Sequence, residues 1–194
     1  MAEKQEMSEQ PVAIGATRGF VVPRECVVTI VPAGHKSILA EGQHVTVLQA
    51  LGGTATVTTR EGEMARLTPQ DSIDFGLIDA PTPGTVTDGA DFSIDAVWAA
   101  ATTVYDPEIP VDIVELGLVY RVDAEELADG TWLVDIDMSV TAPFCGMGDI
   151  MRQDLHDAVA ALPGVAAVKV VLVFDPPWDA SRLSDVARLE LGMM

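Results

Sequence analysis

The chain is short of several things that usually announce chemistry. It holds 2 cysteines, Cys26 and Cys145, and 3 histidines among 194 residues. The cysteines lie far apart, and the opening stretch with Glu3, Lys4, Glu6 and Glu9 lacks the apolar centre of a secretory signal. A structural disulfide is therefore not expected. His35, His44 and His156 are widely spaced and complete no CxxC or HxxxH signature, so a metal site would have to be assembled in space.

Positive charge is also scarce. Only 11 Lys and Arg face 30 Asp and Glu, a net charge of −19. A chain of that sign is repelled by phosphate backbones and anionic lipid, which argues against nucleic-acid and membrane partners. No run of about 18 apolar residues occurs, so no membrane-spanning helix is expected. Gly52-Gly53 lacks the lysine, serine and helix of a phosphate loop, and no Ser-His-Asp order stands out. These absences point to an acidic cytoplasmic protein.

The 48% of hydrophobic residues, by contrast, can fill a core, or two small ones. Residues 1–22 read as a flexible tail. Residues 23–78 read as a small antiparallel β domain: CVVTIVP is β-branched, and further strands flank Glu41-Gly42 and Glu61-Gly62. DAPTPGTVTDGAD, with two prolines and two glycines, falls in a linker at 79–92. Residues 93–194 change period. Ser93 caps a helix carrying Val97, Trp98 and Ala101, and Val119 to Val122 forms a strand. Val134, Ile136, Met138 and Val140 alternate with polar residues in the next strand. Met151, Leu155, Val159 and Leu162 mark a helix, Ala167 to Phe174 a further strand, and Ser184 to Leu191 a short last helix. A strand–helix–strand crossover favours a parallel pair. The expected fold class is α+β: a small β domain followed by a two-layer helix-strand-strand-helix-strand-helix domain.

Two stretches carry chemistry. In TAPFCGMGDI, Cys145 stands where a strand hands over to a helix. Amides at a helix start stabilise a thiolate, and Gly146 and Gly148 let a ligand approach. That arrangement suits a nucleophile or a soft-metal ligand, but also a small residue buried in a tight turn. Met147 and Met151 could serve as thioether ligands or as core packing. The second stretch, DPEIPVDIVELG, crowds Asp106, Glu108, Asp112 and Glu115 together. A hard-metal site, an acid–base pair, a docking surface and a solvated, capped loop all fit, the last most simply. A cysteine-nucleophile enzyme lacks a visible base, because His156 lies about 15 Å along the helix from Cys145.

Several motifs appear together in one order: YDPEIPVDIVELGLVY (Tyr105 to Tyr120), TAPFCGM (Thr141 to Met147), LPGV (Leu162 to Val165), VFDPPWD (Val173 to Asp179) and ARLELG (Ala187 to Gly192). In these the chain resembles the iron–sulfur maturation family, which includes bacterial SufT proteins, PaaD-like proteins and the eukaryotic cytosolic cluster-targeting factor. IVPAG (Ile30 to Gly34) and LQALGGTATV (Leu48 to Val57) resemble the extra domain of SufT proteins. The resemblance implies a non-enzymatic factor that carries or inserts an iron–sulfur cluster, held transiently, with assembly scaffolds and apo-client proteins as partners. A non-metal adaptor that recruits clients is the alternative. Carried onto this sequence, the resemblance makes Cys145 the cluster ligand. Its neighbours would be Asp106, Glu108, Thr141, Pro143, Phe144 and Met147, and Pro176, Pro177 and Trp178 match the later DPPW. Where the family reads TAPGCP-like, this chain reads TAPFCG. A cluster takes about four ligands, so one Cys145 leaves the shell open. A homodimer would supply two, and Cys26 would be an additional ligand in such a pair.

Overall fold

The computed structural model describes residues 18–79, 92–142 and 146–193. Most of the expected tail and linker, and Pro143, Phe144 and Cys145, lie outside the described residues.

β-branched residues separated by glycine turns make the first sheet. Its strands are β1 (Arg18–Val21), β2 (Cys26–Val31), β3 (Lys36–Leu39), β4 (His44–Leu51), β5 (Thr54–Thr58) and β6 (Met64–Arg66). They pair antiparallel in the order β1-β4-β5-β6-β2-β3. One face gathers Val28, Ile30, Val45, Val47, Ala55, Val57 and Ala65 into a core of its own. A helix not anticipated from the sequence, α1 (Pro69–Asp74), closes this core. Thr68 caps it by accepting from the amide of Asp71 at 3.1 Å, and Pro69 fits the first turn. β1 falls inside the stretch read as tail. It pairs with β4 from Arg18↔Val47 to Val21↔His44, and Phe20 stacks on Phe75 with ring centres 5.8 Å apart. A four-residue edge strand with one aromatic anchor is too short to show as periodicity.

The second half contains α2 (Ile94–Ala101), β7 (Val119–Glu126), β8 (Trp132–Met138), α3 (Gly148–Ala160), β9 (Val165–Leu172) and α4 (Asp185–Glu190). β7 and β8 pair antiparallel, and β8 and β9 parallel, across the α3 crossover. Val134, Ile136 and Met138 on one face meet Val97 and Ala101 of α2 and Met151, Leu155 and Val159 of α3 in the larger core. β7 outruns its expected end because pairing continues to Glu126↔Trp132. β9 stops at Leu172, short of the expected end at Phe174, which is 52% exposed. The class is α+β. Among the described residues, no helix is long and apolar enough to cross a membrane.

The two cores touch. Val31, at the end of β2, belongs to the larger core, and Met64 of β6 packs against it.

Candidate functional site

The acidic stretch folds as two successive turns, each built on an aspartate. Asp106 accepts from the amides of Glu108 and Ile109 at 2.8 and 2.9 Å. Asp112 accepts from the amides of Val114 and Glu115 at 2.9 and 3.0 Å. Short side-chain acceptors of this kind replace a backbone turn. The later motifs hold the second turn. The Trp178 indole donates to the Leu116 carbonyl at 2.8 Å. Arg182 donates to the Gly117 carbonyl at 3.0 Å and stacks over the Tyr120 ring at 3.7 Å. The Ser184 hydroxyl donates to the Glu115 carboxylate. Three of the four carboxylates are thus engaged in local structure. Glu108 is exposed and makes no side-chain hydrogen bond among the described residues.

Burial sets the electrostatics of this loop. Asp106 is 5% exposed, and desolvation lifts its carboxyl above the ordinary range. The two amides and the Arg66 charge pull the other way. Desolvation also raises Glu108, helped by the charge of Asp106, and raises Asp112 against its own two amides.

The second stretch joins β8 to α3. Thr141 is half-buried before it, and Gly146 is exposed after it. Met147 is 1% exposed in the larger core, so its sulfur serves packing. Met147 is also the N-cap of α3 and makes no side-chain capping bond, so among the described residues no side chain accepts from the first-turn amides.

The six-stranded sheet meets both stretches. At the turn after β2, a Cβ on Gly34 would lie 2.4 Å from the Gly146 carbonyl oxygen. One on Gly146 would lie 2.3 Å from the Ala33 carbonyl oxygen. Only glycine permits this approach, and Gly34 also needs φ of 75°. Gln49 Nε2 donates to the Asp106 carbonyl at 2.9 Å. Arg66 Nη2 donates to Asp154 Oδ2 of α3 at 2.5 Å. Sequence reasoning missed Gln49 and Arg66. The available signal was a lone arginine in the otherwise apolar run Met64–Leu67.

Other candidates lie elsewhere. Cys26 is buried in the core of the six-stranded sheet, and burial raises its thiol pKa. It starts β2, whose far end leads to Gly34; five residues of strand put it about 17 Å from that end. The geometry does not bring Cys26 to the site within one chain. His156 is on α3 beside Asp157, at 2.9 Å. A hollow of about 400 Å³, lined by Phe92, Ile94, Asp123 and Trp132 among others, sits at the opposite end of β8 from the Thr141 stretch. Among the described residues, no group of three or more His, Cys, Asp or Glu could hold a metal ion.

The model of the iron-sulfur cluster assembly protein family matches residues 94–170, which include both stretches. The chain is 45% identical over 92 residues to an Fe-S protein maturation auxiliary factor of Porphyromonas gingivalis, covering 47% of this chain and 84% of that one. It is 40% identical over 97 residues to the Fe-S protein maturation auxiliary factor YitW of Bacillus subtilis, covering 50% and 91%. It is 34% identical over 90 residues to the Fe-S protein maturation auxiliary factor SufT of Staphylococcus aureus, covering 46% and 98%. That last relative has no length left for a second sheet, and the six-stranded sheet lies outside the family match. Because these relatives are matched over most of their length, the chain belongs to the iron-sulfur cluster assembly protein family, among the SufT-type maturation proteins.

Proposed function

We propose that this chain is a non-catalytic cytoplasmic maturation factor that takes an iron–sulfur cluster as cargo and passes it to apo-client proteins, with Cys145 as the hand-over ligand. One observation carries the reading: the family match spans the whole segment from the Asp106 turn through the β8–α3 junction. A thiolate near a helix start is stabilised by unpaired amides, which suits a soft ligand for iron. One thiolate fills about a quarter of a cluster's protein shell, so the remaining ligands must come from a scaffold, a client or a second copy. An open shell of this kind favours release over storage.

The test is anaerobic cluster transfer to an apo-client, followed by absorption and circular dichroism, with wild type, Cys145→Ser and Cys26→Ser. Cys145→Ser is expected to lose transfer, and Cys26→Ser to keep it. Transfer by Cys145→Ser at the wild-type rate would overturn the thiol role. A second reading, recruitment of clients through a docking surface, is supported by the exposed Glu108. It predicts that client pull-down survives Cys145→Ser but weakens with Glu108→Gln; capture unchanged by Glu108→Gln would count against it.

A further inference from the structure

The strand register shows what the six-stranded sheet offers to the rest of the chain. Across it, Lys36 is opposite Thr29, Thr29 opposite Arg66, Arg66 opposite Thr56, and Thr56 opposite Gln49. These five residues form one polar row on the face away from the sheet's own core. Thr29, Thr56 and Arg66 in that row are buried. Buried polar groups demand partners, and Arg66 has them on both sides. Its Nε donates to Thr54 at 3.1 Å and its Nη2 to Asp154. Gln49, at the far end of the row, holds the Asp106 carbonyl. Val31 and Met64, one step along the sheet, seat the face on the larger core. The Gly34–Gly146 contact completes the seam at the start of α3.

A chain with only 11 bases against 30 acids thus buries one of its arginines where this sheet meets α3. We propose that the polar face of the six-stranded sheet is a built-in positioning surface for the Asp106 turn and the start of α3, with Arg66 as its central positioning residue. This rests on the reading that these two stretches bound the hand-over site. Arg66 ties α3 through Asp154, and Gln49 in the same row holds the Asp106 carbonyl, so the two stretches hold one relative placement. Arg66 touches no cargo in this account.

The test uses the full chain without any cluster, so its outcome is independent of whether Cys145 transfers one. Amide hydrogen exchange is followed at Glu108 and Ile109, which donate to Asp106, and at Ile150 and Met151, which donate to the Met147 carbonyl. Arg66→Met is expected to speed exchange at these amides by about tenfold or more. Gly42 and Leu127, bonded at turns away from Arg66, exchange by local fraying that leaves the Arg66 pair intact and should keep wild-type protection. Arg66→Lys, which can still pair with Asp154, should recover most of the loss. If Arg66→Met folds poorly, Asp154→Asn is read in its place, with an expected rise of about threefold. Exchange within about twofold of wild type at both stretches would overturn the proposal. So would a rise spread evenly over both sheets, or no recovery in Arg66→Lys.

Discussion

Both sheets have a polar face, and the two faces are built for different surroundings. On the three-stranded sheet the polar face is charged and wet. Arg121 donates to Asp137 at 2.7 Å and also bonds Asp123, and Lys169 pairs with Asp135 at 3.1 Å. On the six-stranded sheet the row sets two threonines and one arginine between Lys36 and Gln49, and its middle is buried. Water can solvate many charges on an open face. A dry face tolerates only polar groups whose partners are all supplied. The difference identifies the six-stranded sheet's polar face as a contact surface and the three-stranded sheet's as an outer wall.

The sharpest way to break this comparison is to remove one arginine from each face. Arg66→Met leaves Asp154 and Thr54 without their partner and is expected to cost about 1–3 kcal/mol, below the full penalty for a buried pair because Asp154 is 30% exposed. Arg121→Met is expected to leave the urea midpoint unmoved, since its pairs are solvated. Equal midpoint shifts would erase the distinction between the faces.

A smaller difference, between two glycine variants, separates contact from backbone. Gly34 and Gly42 have nearly the same φ, 75° and 79°, but only Gly34 abuts another segment. Alanine at either costs about 1–3 kcal/mol for its left-handed conformation. Gly34→Ala should cost more than Gly42→Ala, and the excess measures the seam. If the two variants melt alike, the Gly34–Gly146 contact contributes nothing.

The smallest expected effect is in pH dependence. Burial raises Asp106 above its unfolded value, so its contribution to stability is fully present below the ordinary carboxylate pKa of about 3.9. It is lost as pH rises through the raised folded value, because the unfolded chain releases its proton more readily. Asp106→Asn keeps an acceptor for the two amides and has no such loss. Its stability relative to wild type should therefore grow from pH ~4 upward and then level off. A relative stability that falls with pH over that range would show that Arg66 and the amides outweigh burial.

Much of this was legible in the sequence. The period change after the linker, the helix over Met151, Leu155 and Val159, and the parallel β8–β9 pair follow from side-chain spacing alone. In the acidic stretch the expectation of a solvated, capped loop is met in part: Asp106 and Asp112 accept from backbone amides, but Asp106 is buried rather than solvated. Arg66 and Gln49 were not legible. Their partners lie 88 and 57 residues away, and no local pattern reports a contact that only the folded chain creates. Met147 looked like a candidate ligand because its spacing fits both roles; its burial decides for packing. β1 is a four-residue edge strand, and Phe174 stands two residues past the end of β9, where side-chain spacing alone does not place a residue.

In the proposed function Cys145 hands over the cluster while the six-stranded sheet holds the two flanking stretches in place. The most direct measurement is the anaerobic transfer rate to an apo-client from wild type, Cys145→Ser and Arg66→Met under identical loading. The account predicts loss of transfer in Cys145→Ser and a slowed but measurable rate in Arg66→Met. Wild-type transfer by Cys145→Ser would contradict it.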